Sequence, residues 1–391
     1  MEGDFIKIND WLLPLSWIYG AGVRLRNQMF EMGMLKSRSF DIPVISVGNI
    51  TVGGSGKTPH VEYLINLLRD KVKVAVLSRG YKRKSKGYML ATADTPMSDI
   101  GDEPYQMKKK FADIYVAVDK NRCHGIDQLT TNEETSDTDV ILLDDAYQHR
   151  YVKPGVNILL VDYHRLIMYD KLLPAGRLRE PQKGKARADI VIVSKCPADL
   201  KPMEFRVITK AMNLFPYQKL YFTTLKYGCL RPIYGGEDRK LDTLTGDTSI
   251  LLLTGIASPQ QMIVDLKPYT ERIIPLTFPD HHQYTDADID RINAEFEAMK
   301  GNDKMIVTTE KDNARLCGME GLSDEVKKNI YVLPVEVGFM LDQEEDFNEN
   351  IIGYVRKNSR NSILAKAKDD NKSDNSDNSG NRTRTISFRN N

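Results

Sequence analysis

The chain has 391 residues, with 55 basic and 54 acidic side chains and a formal net charge of +1. At roughly 100–200 residues per domain, this length predicts two or three domains. The balanced charge predicts no general attraction to nucleic acid, so any basic site is local. A hydrophobic content of 41% excludes disordered and collagen-like classes. Four scattered cysteines without a Cys-x-x-Cys pair indicate a reducing, cytosolic compartment.

Residues 1–40 form a separate N-terminal segment that contains both tryptophans, Trp11 and Trp17. The uncharged stretch over residues 11–23 is shorter than the roughly 18 apolar residues that a spanning helix needs. Basic residues follow it. The segment fits either a helix pair packed on a core or an interfacial helix with the tryptophans at headgroup depth.

From residue 41 to 220, short Val/Ile/Leu-rich runs alternate with helix-length segments. These runs cover residues 42–47, 72–77, 114–118, 140–143, 156–161 and 190–193. Such alternation is typical of a parallel sheet that is covered on both faces. The pattern predicts a first domain of the α/β class.

The rest of the chain is predicted to contain a linker, a second domain and a tail. Residues 221–249 are rich in Thr, Tyr and Gly, and Gly235-Gly236 is a turn signal, so we expect a β-hairpin linker. A second, smaller α/β domain is predicted over residues 250–360, from runs at 250–255, 273–276, 305–308 and 330–335. Residues 361–391 are almost entirely polar and predict a disordered tail.

The sequence GNITVGGSGKTP at residues 48–59 lies between an apolar strand and a predicted helix. Glycines let backbone N–H groups approach phosphate, the lysine reaches the β- and γ-phosphates, and the Thr hydroxyl can bind Mg²⁺. Thr51 stands where the usual phosphate-loop spacing has its first glycine. The predicted nucleotide-binding residues are Thr51, Val52, Gly53, Gly54, Ser55, Gly56, Lys57 and Thr58.

Two carboxylates, Asp144 and Asp145, end the apolar run at 140–143. A P-loop enzyme needs an acid at a strand end to hold its metal, and Asp144 is the candidate. Asp145 would point the other way if the strand continued, which indicates a second role. Gln148 and His149 follow at the same edge, either as ligand contacts or as an ordinary polar loop.

Three further polar clusters allow either a functional or a plain structural interpretation. SRGY at residues 78–81 precedes a basic run that is either a solvated loop or an anion site. GDEP at 101–104 contains Asp102 and Glu103 and is consistent with a simple helix start. The histidines at 281 and 282 lie in a predicted polar turn before a helix from about residue 286.

Taken together, these motifs resemble the tetraacyldisaccharide 4'-kinase family, which phosphorylates a membrane-embedded acylated glucosamine disaccharide. The resemblance rests on motifs that occur in family order: VGN with GGSGKTP, LSRGY, GDEP, LDDAYQH, LPAGRLREP at 173–181, TGIA at 254–257, FPDH at 278–281 and TTEKD at 308–312. Ala146-Tyr147 stands where the family more often has Gly-Phe.

The resemblance implies a P-loop NTPase-type domain and a smaller α/β domain joined by a two-stranded linker, with ATP and lipid in the cleft. It also implies that the N-terminal segment lies on the cytoplasmic face of the inner membrane. The implied cofactors are ATP and Mg²⁺, and the implied partner is the acylated disaccharide phosphate lipid. Neither nucleic acid nor a protein partner is predicted.

Residue roles are also implied by the resemblance. Asp102 is the expected general base, with His281 positioning it, and Lys57 and Asp145 complete the catalytic set. Mg²⁺ would be held by Thr58, Asp144 and Glu103. Residues expected to contact the substrate headgroup or neutralise its phosphate are Arg79, Tyr81, Arg122, Gln148, His149 and Arg179.

Two other functions fit the same motifs. A nucleotide-gated switch or assembly factor would use the same phosphate loop and strand-end acids. A soluble kinase for a small sugar would follow if the N-terminal segment were an ordinary core helix.

Overall fold

Two mixed sheets organise the chain in a computed structural model, which describes residues 8–373 except 257, 258, 281, 302, 317 and 318. The α-helices are α1 (Leu13–Glu31), α2 (Lys57–Leu68), α3 (Met97–Ile100), α4 (Asp102–Lys110), α5 (Arg122–Thr131), α6 (Pro202–Met212), α7 (Gln260–Leu266), α8 (Asp286–Ala298), α9 (Glu310–Leu316), α10 (Asp324–Asn329) and α11 (Glu344–Ser373). Short 3₁₀ helices cover Asp10–Leu12, Tyr163–Arg165, Ile167–Tyr169, Gln182–Arg187 and Leu241–Thr243.

Each predicted apolar run except the last, at 330–335, corresponds to one strand of the structure. The strands are β1 (Val44–Gly48), β2 (Val74–Ser78), β3 (Met89–Leu90), β4 (Tyr115–Val118), β5 (Val140–Asp144), β6 (Val156–Asp162), β7 (Ile190–Ser194), β8 (Lys219–Tyr227), β9 (Arg231–Pro232), β10 (Ser249–Thr254), β11 (Ile273–Thr277), β12 (Lys304–Thr309), β13 (Ile330–Leu333) and β14 (Val335–Phe339).

The larger domain is built on a nine-stranded sheet with the order β14-β8-β7-β6-β1-β5-β2-β4-β3. The strands from β8 to β4 pair in parallel, and the antiparallel strands β14 and β3 form the two edges. The central strand β1 lies between β5 and β6, so the loop after β1 and the residues after β5 meet at the carboxyl ends of the parallel strands. Ligands of α/β proteins bind at this end of the sheet.

Helices cover both faces of this sheet because neighbouring residues of a strand point to opposite sides. On one face, Ile45 and Val47 of β1 pack in the core that also receives α2, α4 and α11. On the other face, Val44 joins the core of α5, while α6 packs over β6, β7 and β8. The predicted α/β class is therefore confirmed.

The smaller domain has a five-stranded sheet with the order β11-β10-β12-β13-β9, in which only the short edge strand β9 is antiparallel. Leu251 and Leu253 pack against α8, and Ile250 and Leu252 pack against α7. Thr285 begins α8 with a capping box, since its hydroxyl accepts from the N–H of Asp288.

Residues 330–335 were predicted to be one strand, and this was wrong. Pro334 has no N–H to donate to a ladder, and it separates β13 of the smaller sheet from β14 of the larger sheet. Beyond Pro334 the chain pairs β14 with β8, and α11 packs its Phe347 and Ile351 into the larger core. The predicted second domain over 250–360 therefore ends near residue 333.

The predicted hairpin over residues 221–249 also differs from the structure. The first of these residues belong to β8 in the larger sheet, and only a bridge between Leu230 and Arg239 lies across the Gly235-Gly236 turn. The two strands that connect the domains are β8 and β14, which run antiparallel from the Tyr227–Val335 pair. A two-stranded connection exists, but its strands are distant in sequence.

The predicted polar tail begins inside a helix, because α11 continues to Ser373. Residues 362–368 include alanine, leucine and lysine, which are good helix formers and extend a helix already begun at Glu344. The remainder of the predicted tail, residues 374–391, lies outside the described residues.

The N-terminal helix α1 contacts the larger domain along one side only. Ser16 Oγ donates to Leu172 O at 3.0 Å, and Phe30 packs edge-on to Tyr151 with ring centroids 5.1 Å apart. On its other sides Trp17 is 70% exposed and Ile18 71%. The structure therefore has one docked helix with an exposed apolar surface, and no helix among the described residues is long and apolar enough to cross a bilayer.

Candidate active site

The predicted phosphate loop connects β1 to α2 at the centre of the larger sheet. Gly53 and Gly56 have φ values of 115° and 77°, which are strained for any residue with a side chain. Lys57 and Thr58 are the first two residues of α2, where backbone N–H groups have no partner within the helix. The loop therefore presents N–H donors, a cation and a hydroxyl at one helix N-terminus.

The motif LPAGRLREP supports the first part of this loop. Thr51 forms an antiparallel bridge with Leu178, and the Val52 N–H donates to Arg177 O at 2.7 Å. Thr51 is buried, so it anchors the loop.

Ser194 and Lys195 also hold the loop, although they are not among the predicted site residues. Ser194 Oγ donates to Ser55 O at 2.9 Å, and Lys195 Nζ donates to Gly54 O while forming an ion pair of 2.9 Å with Asp162. A signal for them exists, since both residues end an apolar run whose strand finishes at the same sheet edge.

Asp144 is the last residue of β5, beside the central strand. Its Oδ2 accepts from Ser78 Oγ at 3.0 Å, while its Oδ1 has no hydrogen-bond partner in the described part of the chain. Burial, reinforced by the charges of Glu103 and Asp145, raises the pKa of Asp144 to about 7. A negative charge is therefore costly here unless a cation compensates it.

Asp145 lies on the same side as the phosphate loop. A continuing strand predicts that Asp145 points away from Asp144, but β5 ends at Asp144 and Asp145 turns with a φ of 44°. Its Oδ1 is 3.7 Å from Lys57 Nζ, and its Oδ2 accepts from Arg179 Nη1 at 3.4 Å. The loop lysine, the acidic pair and Arg179 thus meet at one point.

Asp102 is the first residue of α4 and is buried. The preceding Gly101 has a φ of 91°, and a Cβ there would lie 2.9 Å from Tyr81 O, so only glycine fits this helix start. Asp102 Oδ2 accepts from Arg315 Nη2 at 2.6 Å. Because Arg315 belongs to α9, Asp102 lies where the two domains meet.

Glu103 faces the same boundary between the domains. Its Oε1 lies 3.8 Å from Lys311 Nζ, which is also 3.6 Å from Asp280 Oδ1. Glu103 contributes to the raised pKa of Asp144, so the two acids are electrostatically close.

The predicted substrate residues differ in their surroundings. Arg79 and Tyr81 are exposed after β2. Arg122 is 2% exposed and donates to the carbonyl oxygens of Asp119 and Asp144, each at 3.2 Å. Burial lowers the pKa of Arg122 to about 10. Arg122 therefore lies behind the acidic pair, and its contact with a substrate stays a prediction.

Gln148 and His149 follow the acidic pair but face different surroundings. Gln148 Nε2 donates to Asn49 O at the start of the phosphate loop. His149 faces a cavity of about 810 Å³ that is also lined by Ser46 and Arg150. Burial, with the nearby charge of Arg122, lowers the pKa of His149 to about 4, so its imidazole is neutral at pH 7.

Arg179 connects the acidic pair to the N-terminal helix. Its N–H donates to Ile50 O at 2.7 Å, and its own carbonyl accepts from Tyr19 Oη at 2.8 Å. Helix α1 is thereby fixed to the segment that supports the phosphate loop.

The predicted partner of the base, His281, lies outside the described residues. The next residue, His282, bonds to Asp288 Oδ2 at 2.9 Å and stacks on Phe278 with ring centroids 4.9 Å apart. His282 thus packs at the start of α8, which matches the polar-turn interpretation.

The residues at the carboxyl end of β5 fit a magnesium ion that is bound by the protein and the nucleotide together. Within the described ranges, no group of three or more His, Cys, Asp or Glu side chains is arranged to hold a metal alone. From the residues that the structure describes, Asp144 Oδ1 and Asp145 Oδ1 nevertheless accept no hydrogen bond, and Thr58 lies at the adjoining helix start. Mg²⁺ usually takes one or two carboxylates together with phosphate oxygens and waters.

A loop of this sequence, between the central strand and the following helix of a parallel sheet, defines a P-loop nucleotide-binding protein of the α/β class. A family model described as "Tetraacyldisaccharide-1-P 4'-kinase" matches residues 8–356. The chain belongs to this family, as the resemblance predicted, and it is a kinase.

Individual relatives agree with this membership. Proteins named tetraacyldisaccharide 4'-kinase are 61% identical in Phocaeicola vulgatus, over 93% of this chain and 99% of the relative, and 54% identical in Bacteroides thetaiotaomicron, over 93% and 98%. The crystal structure of LpxK from Aquifex aeolicus, described as an "apo" form in complex with ATP, is 32% identical, with a TM-score of 0.67 over 88% of this chain and 98% of that one. These kinase relatives do not favour the alternative of a nucleotide-gated switch.

Proposed function

We propose that this chain transfers the γ-phosphate of ATP to the 4'-hydroxyl of a tetraacylated glucosamine disaccharide 1-phosphate, a step of lipid A synthesis. Relatives named tetraacyldisaccharide 4'-kinase match the chain over nearly its whole length. The geometric observation that carries the proposal is the meeting of Lys57 and Asp145, 3.7 Å apart, beside the buried Asp144. A phosphate-binding cation and the strand-end acids therefore lie together.

The nucleotide phosphates lie over the N-terminus of α2 in this proposal. Lys57 stabilises the charge on the phosphoryl group as it moves between oxygens. Asp145 orients Lys57 through their ion pair, and Arg179 adds a second positive charge at the same point. The exposed position of Val52 and the open glycines Gly53 and Gly54 leave room for the ligand above the loop.

Asp102 removes the proton from the 4'-hydroxyl as that oxygen attacks the γ-phosphorus and ADP departs. A carboxylate is a weak base toward an alcohol, so a buried and firmly oriented side chain is needed. Asp102 is 9% exposed and begins a helix, which supports this assignment. The assistance of His281 stays a prediction from the family resemblance.

In the proposal, the acids near the carboxyl end of β5 bind a cation. Thr58, Asp144 and Glu103 would hold Mg²⁺, directly or through water. Held by these residues, the ion would supply positive charge to neutralise the phosphate oxygens. Asp144 supports this role best, because burial raises its pKa and its Oδ1 has no hydrogen-bond partner in the described structure.

The disaccharide headgroup approaches from the side of β2 and α1. Arg79 and Tyr81 are exposed there, and Arg179 links the acidic pair to α1. Gln148 and His149 complete the predicted contacts. The neutral His149 ring serves as a hydrogen-bonding group rather than as a charge.

Helix α1 provides a surface for the bilayer that holds the acylated substrate. Leu15, Ile18 and Leu25 share one side of the helix by their spacing and are 53%, 71% and 59% exposed. Trp11 extends the same surface at 93% exposure. Exposed apolar area of this kind, with tryptophan at its end, is typical of an interfacial helix. The family resemblance implies the cytoplasmic face of the bacterial inner membrane, and the exposed surface of α1 supports a peripheral attachment there.

A transfer assay tests the reaction directly. Purified chain is incubated with γ-labelled ATP and the acylated disaccharide phosphate, with Mg²⁺ or with EDTA. We expect labelled lipid only with Mg²⁺, whereas a nucleotide switch gives free phosphate and no labelled lipid. Asp102→Asn lowers kcat by roughly 100-fold or more, the usual contribution of a general base. The exposed Asp94→Asn is the control, and near-normal transfer by Asp102→Asn contradicts the base assignment.

A vesicle assay tests the membrane surface. The double variant Trp11→Ser, Ile18→Ser removes two exposed apolar side chains of this surface without touching the core. We expect at least roughly tenfold weaker co-sedimentation with anionic vesicles, because each large apolar group is worth about 1.5–3 kcal/mol when fully buried. Tyr217→Ser, at a site 61% exposed elsewhere on the larger domain, is the matched control. Equal binding by both variants argues for a soluble kinase.

A further inference from the structure

The proposed base, Asp102, is held by a residue of the other domain. Arg315 Nη2 donates to Asp102 Oδ2 at 2.6 Å, and the Arg315 side chain is fully buried. The two residues are 213 positions apart in the chain, on α4 and α9. An ion pair between buried groups is costly to form, so its presence beside the reacting group points to a function.

The guanidinium of Arg315 is itself fixed inside the smaller domain. Its Nη1 donates to Asp312 Oδ1 and to Gly255 O, each at 3.0 Å. Asp312 Oδ2 in turn accepts from the N–H of Gly255 at 2.9 Å and from Thr309 Oγ1 at 2.7 Å. These residues belong to the TGIA and TTEKD motifs, which the proposed reaction leaves without a role. Together their hydrogen bonds hold the Arg315 guanidinium in one orientation.

A guanidinium held in this way can orient a carboxylate, but it exchanges no proton with it. Arginine remains protonated throughout the physiological range, so Arg315 cannot accept the proton of the substrate hydroxyl. A short charge-assisted bond to Oδ2 fixes the plane of the Asp102 carboxylate. Orientation matters because a displacement of about 1 Å can slow a reaction roughly 100-fold.

We propose that Arg315 is a positioning residue, which reaches from the smaller domain and orients the Asp102 carboxylate toward the substrate hydroxyl. The proposal rests on the assignment of Asp102 as the base. It gives the smaller domain a part in the reaction, because Arg315 orients Asp102 while Gly255, Thr309 and Asp312 fix Arg315.

The same interface offers a matched control. Lys110 Nζ of α4 pairs with Glu310 Oε1 of α9 at 2.7 Å and with Glu62 Oε2 of α2 at 2.6 Å. This network joins the same two helices as the Asp102–Arg315 pair. Glu310→Gln therefore weakens the contact between the domains while leaving the orientation of Asp102 unchanged.

The test compares Arg315→Met, Arg315→Lys and Glu310→Gln in the full chain, with kcat, KM for ATP and unfolding temperature measured for each. For Arg315→Met we expect kcat to fall roughly 100-fold while KM for ATP stays within about threefold. Arg315→Lys recovers part of kcat, because a positive charge returns at the same place. Glu310→Gln keeps kcat within about threefold at a similar unfolding temperature.

A double-variant cycle separates positioning from a structural effect. If Arg315 acts through Asp102, adding Arg315→Met to Asp102→Asn lowers the residual kcat no further. A further loss of kcat in the double variant overturns the proposal. An equal loss of kcat in Arg315→Met and Glu310→Gln overturns it as well. Where Arg315→Met does not fold, Arg315→Lys in the same cycle decides by the same comparison.

The two assignments fail in different ways. Near-normal kcat in Asp102→Asn refutes the base, and the positioning role then falls with it. A large loss in Asp102→Asn together with normal kcat in Arg315→Met refutes the positioning role alone.

Discussion

Replacing the buried acid Asp144 by asparagine is expected to stabilise the metal-free protein. The amide has the same shape and still accepts from Ser78 Oγ, which lies 3.0 Å from Oδ2. It carries no charge into a site where burial and two neighbouring acids oppose ionisation. Asp144, the residue best placed to bind a cation, thus destabilises the folded protein when no cation is bound.

The size of this effect follows from the displaced pKa of Asp144. A rise from the ordinary 3.8 to about 7 disfavours the ionised form, by on the order of 4 kcal/mol at about 1.4 kcal/mol for each tenfold change in the ionisation constant. An unfolding entropy of about 2.1 cal/mol/K per residue converts this, for a chain of this length, into an unfolding temperature raised by roughly 5 °C.

The sign of the pH dependence is fixed by the same displacement. The folded protein binds the Asp144 proton more tightly than the unfolded chain does, so wild-type stability falls relative to the amide variant as pH rises from 3.8 to about 7. The advantage of Asp144→Asn is therefore small at pH 4 and complete at pH 8.

Thermal unfolding in EDTA, without nucleotide, measures the difference at the two pH values. Asp145→Asn is the matched control, because Asp145 pairs with Lys57 and Arg179 and its amide gives up both ion pairs. We expect no stabilisation from Asp145→Asn. An Asp144→Asn protein that is no more stable than wild type at pH 8 refutes the reasoning, since the carboxylate would then be compensated within the protein.

Two further substitutions probe the start of α4 and the core of the smaller domain. Gly101→Ala forces a φ of 91° and a Cβ 2.9 Å from Tyr81 O, so we expect about 1–3 kcal/mol of destabilisation and a fall in kcat larger than any rise in KM for ATP. Gly22→Ala, with nothing within 4 Å, is its control, and equal kinetics in both variants argue against the strain. Phe296→Ala, at a site 1% exposed, should cost about 3–5 kcal/mol in denaturant unfolding, and a loss below about 1 kcal/mol would show that α8 is not needed for the core.

The elements of the larger domain were predictable because their pattern is local. Each buried parallel strand appears as an apolar run, and the phosphate loop has its own sequence beside one of them. The error at residues 330–335 has a different origin. An apolar run shows that a strand is buried but does not show in which sheet, and only Pro334 marked the change.

The site was predictable in its parts but not in its connections. Asp102, Asp144 and Lys57 were all selected from motifs. The bond between Asp102 and Arg315 joins residues 213 positions apart, and no spacing rule relates them. The turn at Asp145 likewise depends on where β5 ends, which the apolar run left uncertain by one residue.

The return of the chain through β14 and α11 determines the order in which the domains are completed during translation. Residues 231–333 supply the strand β9 and all later elements of the smaller sheet, whereas Phe347, Ile351 and Val355 of α11 complete the larger core. Domains usually fold from the N-terminus as they leave the ribosome. Here the larger domain begins first but is completed last, so the smaller domain is whole while the larger core still lacks α11 and its sheet still lacks the edge strand β14.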